Sequence, residues 1–240
     1  MAGTPSPEAS AGPNKADFVN RLFDRGARHY DSVNGWGFFH TGSQYRRHAL
    51  RKHGLRPGHK LLDVACGTGL VAVEAMKILG SAQDITCLDP SEGMLSVART
   101  KLPARFVIGR AEQIPCPDNS FHFLTMGYAL RHVSSLEDAF REYSRVLAPG
   151  GKMLILEITK PRNRLAALFF RVYFGMIFPF LTKLFTGSGD ARDMVRYYWE
   201  TMDASAPPER VLEAMRAVGL KEARRDGFWG LLSEYTAVKP

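Results

Sequence analysis

Short apolar runs alternate with amphipathic stretches through the middle of the chain. The runs that predict buried strands are Leu61–Ala65, Ile85–Asp89, Arg105–Ile108, Phe121–Tyr128 and Met153–Ile158. The intervening stretches with helical spacing are Leu70–Leu79, Ser91–Leu102, which Ser91 would cap, and Leu136–Leu147. Strands that alternate with helices in this way predict a mainly parallel sheet covered on both faces, which is the doubly wound α/β class.

The C-terminal part of the chain adds to this sheet. A helix is predicted over Pro208–Val218 and ends at Gly219, and two strand-like runs follow at Lys221–Arg225 and Leu231–Val238. The two runs predict an antiparallel hairpin at the end of the sheet. With the five earlier strands, they bring the predicted sheet to seven strands.

The N-terminal part of the chain divides into a tail and a domain. Residues 1–14 are rich in Ala, Gly, Pro and Ser and lack apolar periodicity, so they predict a disordered tail. Helical spacing begins over residues 16–30 and returns over Gln44–His53. With 45% hydrophobic and 23% charged residues in a 240-residue chain, residues 15–240 are predicted to form a single domain with one sizeable core.

The cysteines and the net charge indicate which compartment and which kinds of partner to expect. Cys66, Cys87 and Cys116 form no C-x-x-C pair, which argues against a disulfide framework or a zinc knuckle and favours the reducing cytoplasm. The net charge of +8 is spread along the chain without the aromatic and basic interleaving of a nucleic-acid-binding strand. We therefore expect no nucleic-acid partner and consider an anionic membrane the better match for the basic charge.

A glycine loop follows the first predicted strand, in the segment Asp63–Gly69. Glycines let the backbone approach a ligand, and the start of the next helix offers unpaired N–H groups. The loop lacks the third glycine of a dinucleotide site, and Asp63 at its head would repel a pyrophosphate. A carboxylate there suits the cationic amino-acid end of S-adenosylmethionine (SAM), so the loop predicts a sulfonium cofactor.

The residues after the second and third strands extend the predicted cofactor site. Asp89 ends its strand where a carboxylate can accept hydrogen bonds from two ribose hydroxyls, although a solvated strand-end Asp is the plain alternative. Met94 is placed to pack on the adenine or simply in the core. Arg110 and Ala111 border the expected adenine edge, where Arg110 alone is equally compatible with an ordinary loop position.

Several motifs carry a family resemblance. Asp63–Gly69, Asp89–Leu95, Ala111–Pro115 with Pro117–Phe121, and Arg145–Gly151 together resemble class I SAM-dependent methyltransferases, whose fold is Rossmann-like. Tyr30–Asn34, Tyr128–Val133 and Leu156–Pro161 resemble the ubiquinone/menaquinone biosynthesis C-methyltransferases. The loop chemistry and the resemblance together predict cofactor contacts from Asp63, Ala65, Gly67, Thr68, Gly69, Asp89, Met94, Arg110 and Ala111. The resemblance also implies a polyprenyl quinol substrate, faced by Arg131 and Tyr30.

The chain departs from this family at positions near the predicted substrate. Arg110 and His132 stand where the family usually has Asn, Gly127 stands where it has Ser, and residues 196–199 match its Tyr-x-Tyr-Leu segment only loosely. These differences keep other hypotheses open. One is a SAM-using enzyme with another acceptor, such as a lipid amine or another aromatic, or with another transferred group, as in quinone amination. Another is a non-catalytic subunit of a quinone-synthesis complex.

Three residues are candidates for the chemistry of methyl transfer. Arg131 keeps its charge at any working pH and suits electrostatic stabilisation of a ring phenolate, whereas the neighbouring His132 can accept a proton near neutrality. Tyr30 is expected in the wall of the site. The plain alternatives are that Arg131 only caps the next helix and that neighbours on an extended segment point opposite ways. No metal site is predicted.

Residues 163–203 contain a segment unusually rich in apolar side chains and are predicted to form a hydrophobic lid or membrane-contacting insertion. Arg171 and Pro179 interrupt the apolar run of residues 163–185, which argues against a membrane-spanning helix. A helix lying in the bilayer interface and a buried lid helix both explain the run, and both suit a polyprenyl tail. We therefore expect a cytoplasmic protein in peripheral contact with the inner face of a membrane, as a homodimer or within a quinone-synthesis complex.

Overall fold

The computed structural model describes residues 21–25, 27–28, 30–31, 41–159, 168, 172–178, 180, 182, 189, 197, 206–228 and 232–240. The predicted tail, residues 1–14, and most of the predicted lid, residues 163–203, lie outside the described residues. The helix predicted over residues 16–30 is described only from residue 21, and its described residues are helical.

A seven-stranded sheet forms the centre of the protein. Its strands are β1 (Leu61–Val64), β2 (Ile85–Asp89), β3 (Arg105–Ile108), β4 (Phe121–Gly127), β5 (Leu147–Ile158), β6 (Lys221–Phe228) and β7 (Leu232–Val238). Their order is β3-β2-β1-β4-β5-β7-β6, and β7 runs antiparallel to both of its neighbours while the first five strands are parallel. The predicted fold class and antiparallel C-terminal strands are confirmed.

Besides the helical residues between 21 and 31, five α-helices whose bounds lie within the described residues accompany the sheet. They are α1 (Gly42–Lys52), α2 (Leu70–Leu79), α3 (Glu92–Arg99), α4 (Leu136–Val146) and α5 (Pro208–Ala217), with a short 3-10 helix at Leu130–His132 and a π-helical turn at Tyr173–Ile177. The Ser91 hydroxyl accepts a hydrogen bond from the Met94 amide at 3.0 Å, as expected for the N-cap of α3. That helix ends at Arg99, before the predicted boundary at Leu102.

The predicted start of the fifth strand is wrong. The sequence predicted a strand that begins at Met153, but β5 begins at Leu147 and includes Pro149, Gly150 and Gly151. The Gly150 amide donates to the Lys239 carbonyl at 3.0 Å, and the Lys239 amide donates to the Gly151 carbonyl at 2.9 Å. These residues therefore pair with the C-terminal end of the chain, which local turn signals cannot reveal.

Two apolar clusters cover the faces of the sheet. One joins the sheet to α4 and α5 and includes the fully buried Phe140 and Tyr143, and the other joins it to α1 and α2 and includes Leu50 and Ala72. The chain order reverses between β1 and β4, which are neighbours in the sheet. In open α/β sheets the carboxyl ends of the strands at such a reversal form the ligand-binding crevice, so the fold itself marks the place of the site.

Candidate active site

A cavity of about 630 Å³ opens at the carboxyl ends of β1, β2 and β4. Nine of the twelve residues predicted for the site line it: Tyr30, Ala65, Gly67, Asp89, Met94, Arg110, Ala111, Arg131 and His132. Asp63, Thr68 and Gly69 do not line it. The fold therefore brings most of the predicted residues to one cavity, in agreement with the rule that ligands bind at this edge of the sheet.

The glycine loop between β1 and α2 forms the floor of the cavity. Gly67 and Gly69 have φ values of 55° and 79°, in the left-handed region that glycine adopts without steric cost. A Cβ at Gly69 would lie 3.1 Å from the Leu102 side chain and 3.3 Å from that of Ala98, so the loop packs closely on the region of α3. Gly69 therefore sets the shape of the loop through this packing and does not itself line the cavity.

Asp89 holds the glycine loop at the end of β2. Its two carboxylate oxygens accept hydrogen bonds from the Gly67 amide at 2.8 Å and the Ser91 amide at 2.9 Å. Burial raises the pKa of Asp89 to about 6, although the two amides act to lower it. A carboxylate fixed in this way lies in the cavity wall with lone pairs available to further donors, which suits the ribose hydroxyls expected there.

Asp63 lies beneath the loop and is fully buried. One of its oxygens accepts a hydrogen bond from the Thr125 hydroxyl at 2.8 Å, and the other has no hydrogen-bond partner among the described residues. Burial raises the pKa of Asp63 to about 7. This buried acceptor is suited to a cationic ligand group above the loop, with which it would interact from behind the cavity wall.

Two aspartates attach the N-terminal helical residues to the cofactor loops. Asp24 accepts hydrogen bonds from the Ser91 hydroxyl at 2.5 Å and the Gly93 amide at 3.0 Å. Asp31 accepts a hydrogen bond from the Thr68 hydroxyl at 2.6 Å and forms an ion pair with Lys101. Thr68 thus orients the segment that carries Tyr30. Sequence reasoning missed both aspartates because their partners lie 37 or more residues further along the chain.

Arg131 is held by a buried ion pair on the substrate side of the cavity. One guanidinium nitrogen donates to the Tyr128 carbonyl at 2.7 Å and to Glu157 Oε1 at 3.0 Å, and both charged side chains are almost fully buried. The Leu130 amide donates to the other oxygen of Glu157 at 3.1 Å. Burial raises the pKa of Glu157, and the charge of Arg131 opposes this shift. Glu157 is a positioning residue that the sequence analysis cited only as part of a motif.

The alternative in which Arg131 and His132 point opposite ways does not describe this segment. It assumed an extended segment, but Leu130–His132 forms a 3-10 turn. In such a turn neighbouring side chains project about 120° apart, so two of them can reach the same space. Both residues line the cavity, and Arg131 forms its ion pair with β5 instead of only capping the next helix.

Aromatic rings gather around His132 at the cavity and form what we call the aromatic wall. The His132 ring stacks on Tyr197 with centroids 5.7 Å apart and planes inclined by 13°. Phe23 meets His132, Tyr30 and Tyr197 edge-on, at centroid distances of 5.7, 6.3 and 6.5 Å. This arrangement provides flat apolar surfaces suited to an aromatic ring. The sequence analysis did not predict Phe23 or Tyr197 as site residues, because an aromatic residue in a helical stretch does not indicate which other ring it contacts.

Tyr30 and Tyr128 lie in a buried and positively charged surrounding. Burial raises the pKa of Tyr30, although Arg131 and Arg46 act to lower it, and burial raises the pKa of Tyr128 to about 12. The guanidinium of Arg46, a residue that is 6% exposed, lies 5.5 Å from the centre of the Tyr128 ring. Both tyrosines are therefore neutral hydroxyl donors at physiological pH, and Arg46 is a second buried cation that the sequence did not reveal.

The remaining predicted residues surround the adenine side. Met94 and Ala111 are buried and line the cavity, so for Met94 a core position is compatible with the expected contact to the adenine. Arg110 is partly exposed and donates a hydrogen bond to the Ser134 hydroxyl at 3.3 Å. The Ser134 amide in turn donates to Glu112 at 2.6 Å. Arg110 thus links the adenine side of the cavity to the segment that follows Arg131.

A separate charged cluster joins α1 to β6 and β7. His53, Asp226 and Glu234 place nitrogen and oxygen atoms within 4.8 Å of one another, which is a spacing that could hold a metal ion. The Lys52 ammonium already contacts Asp226 at 3.0 Å and Glu234 at 2.7 Å, so it supplies positive charge between the carboxylates. The cluster lies outside the cavity lining, and its members, about 180 residues apart, could not be paired from sequence spacing.

Comparison with known proteins identifies the family. The model of the ubiE/COQ5 methyltransferase family matches residues 11–239. The chain belongs to this family. It is 32% identical over 215 residues to the ubiquinone/menaquinone biosynthesis C-methyltransferase UbiE of a Shewanella species (strain ANA-3), covering 87% of this chain and 84% of that protein. It is 33% identical to the UbiE of Cellvibrio japonicus, covering 84% and 82%.

Solved structures agree with the methyltransferase fold. A SAM-dependent methyltransferase from Aquifex aeolicus superposes with a TM-score of 0.60 at 17% identity, covering 81% of this chain and 89% of that one. A Haemonchus contortus phosphoethanolamine N-methyltransferase in complex with SAM superposes with a TM-score of 0.66 at 17% identity, covering 94% of this chain and 60% of that one. At such low identity these similarities concern the fold alone.

The ubiE/COQ5 family membership makes SAM the cofactor, and the cavity fits it. The carboxylate of Asp89 is suited to the ribose, the buried Met94 and Ala111 are suited to the adenine, and the oxygen of Asp63 that lacks a hydrogen-bond partner among the described residues is suited to the cationic amino-acid end. The protein is therefore a SAM-dependent methyltransferase by family and by fold.

Proposed function

We propose that the protein transfers the methyl group of SAM to a ring carbon of a polyprenyl quinol in quinone biosynthesis. One observation carries the proposal: a single cavity joins the glycine loop and Asp89 on one side to Arg131 and an aromatic wall on the other. The aromatic wall is matched to a flat ring. The names of the UbiE relatives, at 32–33% identity, support the substrate class.

Arg131 provides the electrostatic part of the reaction. Bound SAM supplies an electrophilic methyl group, and the ring carbon attacks it more readily when a neighbouring hydroxyl of the quinol has lost its proton. The guanidinium of Arg131, held in place by Glu157, stabilises the resulting phenolate. Because the guanidinium is already oriented by its ion pair, it needs no reorganisation as charge develops on the ring.

The reaction also needs a group that accepts the ring proton and a cavity that excludes water. We assign the first to His132 and the second to the aromatic wall. When the bond from the ring carbon to the methyl group forms, the bond from the methyl group to sulfur breaks and its electron pair stays on sulfur. The hydrogen of that ring carbon must then leave as a proton, and an imidazole nitrogen of His132 accepts it. The rings of Phe23, Tyr30 and Tyr197 exclude water and keep the acceptor ring aligned with the methyl group.

A second candidate is a SAM-using reaction on another acceptor or with another transferred group. Gly127, which lines the cavity, favours it most directly, because a Cβ at this position would lie only 2.7 Å from the Val71 side chain. The Ser usual in the family would therefore require Val71 to shift, so the cavity wall differs there in shape. Arg110 and His132 add charge and an imidazole at the same wall.

Product analysis with purified protein tests both candidates. Isotope-labelled SAM is incubated with reduced benzoquinols and naphthoquinols that lack the ring methyl group, and the products are identified by mass spectrometry. We expect the mass gain of one labelled methyl group on the ring. An unchanged quinol, or a quinol that has gained nitrogen, would contradict C-methylation, and the second outcome would support the second candidate.

The variant Arg131→Met tests the assigned role and the hypothesis of a non-catalytic subunit. Loss of the phenolate-stabilising charge is expected to lower the rate about 100-fold or more while SAM still binds. Arg141→Met, on the exposed face of α4, is the matched control and should not change the rate. If Arg131→Met left cellular quinone content intact, the non-catalytic role would be favoured. Assembly as a homodimer or within a quinone-synthesis complex stays a prediction.

A further inference from the structure

One short segment after β5 carries most of the exposed large apolar side chains. Among the described residues, six large apolar side chains are exposed, and one of them is Ile108 on β3. The other five are Leu168, Val172, Met176, Ile177 and Phe180. Met176 and Phe180 are the most exposed of all, at 71% and 67%. Such a concentration of apolar surface in 13 residues marks an interaction site.

Four of these residues form what we call the apolar stripe: Leu168, Val172, Met176 and Phe180. They follow one another at intervals of four in the sequence, each of them is helical, and each is at least 41% exposed. Phe178, which lies between Met176 and Phe180, is only 8% exposed and stacks on Tyr173 with ring centroids 6.0 Å apart.

A helix on a water-facing surface places polar residues outward. This segment places apolar residues outward while Phe178 and Thr182 are buried against the protein. Its outward side is therefore suited to an apolar medium, which distinguishes the two alternatives left open by the sequence: for the described residues, the stripe is not the inside of a buried lid.

The charges of the surrounding sequence indicate what covers the apolar stripe. Residues 158–189 contain no Asp or Glu and contain the basic residues Lys160, Arg162, Arg164, Arg171 and Lys183. Basic residues around an apolar helix favour an anionic lipid surface. A second copy of the chain would bring the same positive charges together across a two-fold interface, which is unfavourable. The lipid surface is therefore the better occupant.

We propose that the apolar stripe docks the protein on an anionic phospholipid bilayer, with its side chains at the boundary between headgroups and acyl chains. No helix among the described residues combines the length and apolar character needed to cross a bilayer, so docking is peripheral. Tyr197, which follows the stripe in the sequence, stacks on the cavity residue His132. Docking through the stripe would bring the cavity to the bilayer, from which it would receive a lipid-tailed substrate. This last step rests on the proposed function.

Vesicle binding of the full chain tests the docking. Wild-type protein is sedimented with vesicles of phosphatidylglycerol and phosphatidylethanolamine, and separately with vesicles of phosphatidylcholine alone. We expect binding to the anionic vesicles that weakens with salt, and little binding to phosphatidylcholine. The double variant Met176→Ser with Phe180→Ser should bind the anionic vesicles about tenfold more weakly, or less still, because two inserted apolar side chains are lost.

Ile108→Ser is the matched control, since Ile108 is 60% exposed but lies on β3. It should bind like the wild type. Because the substituted side chains of the double variant are exposed, its thermal unfolding should also match that of the wild type. Docking by the stripe is overturned if the double variant binds vesicles as well as the wild type does, or if the wild type binds neither kind of vesicle. A wild-type dimer that the double variant abolishes in solution would instead assign the stripe to a second copy.

Two substrates separate this inference from the proposed function. With a short-tailed quinol that dissolves in water, the double variant should be as fast as the wild type. With a long-tailed quinol embedded in anionic vesicles, its rate should fall about tenfold, in parallel with binding. If neither quinol is methylated by the wild type, the proposed function fails while stripe-dependent vesicle binding still stands.

Discussion

Asp63 and Glu234 are both buried carboxylates on the same sheet, yet their pKa values move in opposite directions. Burial raises the pKa of Asp63 on β1 to about 7, because the Thr125 hydroxyl, the Ala72 backbone and the more distant charge of Arg46 do not outweigh it. Burial acts to raise the pKa of Glu234 on β7 as well, but hydrogen bonds from His53 and Lys52 outweigh it and hold the pKa at about 2.

The difference distinguishes a carboxylate whose charge the protein compensates from one whose charge it compensates only weakly. Glu234 has its cations within the protein, where the cluster with His53 and Lys52 ties α1 to β7. Asp63 forms no ion pair in the part of the chain that the structure describes, which suits the cationic ligand group that we expect there. A buried acid without compensation lowers the stability of the unliganded fold, which is consistent with a group kept for binding. The predictions below test this contrast.

The largest effect is expected for Asp89→Ala, at the strand end next to Asp63. Loss of a charged acceptor for two ribose hydroxyls should weaken SAM binding by about 3–5 kcal/mol, or more than about 100-fold, as measured by calorimetry. Asp84→Ala is the matched control, because Asp84 is exposed and precedes the same strand at its other end. Equal affinity of Asp89→Ala and wild type would show that the cofactor does not lie at this strand end.

Asp63→Asn is expected to stabilise the unliganded protein while weakening SAM binding. The native pKa of about 7 lies above the ordinary 3.8, so the wild type loses stability as pH rises from about 4 to about 7. At pH 8 the neutral amide should therefore raise the free energy of unfolding by about 4 kcal/mol. Denaturant unfolding at pH 5 and pH 8 measures the difference, and a variant less stable than wild type at pH 8 would contradict the assignment.

Glu234→Gln should have the opposite effect on stability. The native pKa of about 2 lies below the ordinary 4.5, so the stabilisation is present above about pH 4.5 and is lost as pH falls towards 2. We expect the free energy of unfolding at pH 7 to fall by about 2–3 kcal/mol, with SAM affinity unchanged. Asp226→Asn, at a half-exposed member of the same cluster, should cost less. Weakened SAM binding in Glu234→Gln would remove the distinction between the two carboxylates.

The smallest effect concerns how the N-terminal residues cover the binding carboxylates. A Cβ at Gly93 would lie 2.8–2.9 Å from Oδ1 and Cα of Asp24, so Gly93→Ala should push the N-terminal residues away at a cost of about 1–2 kcal/mol. Trypsin should then cut faster at Arg25 and SAM should dissociate faster. Gly227→Ala, whose Cβ would meet nothing within 4 Å, is the control, and equal cleavage of both variants would contradict the contact.

The residues expected to contact the cofactor were predictable because they lie in contiguous stretches of sequence. A strand, a glycine loop and a helix place Gly67 beside the end of β1, and the parallel register places Asp89 at the end of the neighbouring strand. The spacing of the two segments therefore implied their proximity. Asp63 is the exception in detail, since its position beneath the loop depends on the packing of Thr125 from β4.

The positions of the residues proposed to face the substrate could be predicted only in part. Arg131 and His132 were found through a motif, but their common orientation depends on a 3-10 turn that Glu157 stabilises from β5. Phe23 and Tyr197 approach His132 from opposite ends of the chain, and neither carries a local signal of the other. Side-chain contacts of this kind depend on the tertiary fold and cannot be inferred from the spacing of residues along the sequence.

The sequence by itself determined the strand and helix order, the doubly wound sheet, the glycine loop and the acidic strand end, because periodicity and backbone requirements are local properties of the chain. Only the tertiary structure decided which buried charges are compensated, which aromatic rings face the same space and which apolar side chains remain exposed. Those outcomes depend on contacts between residues far apart in sequence, where burial and the nearest charge or ring set the energy of each group.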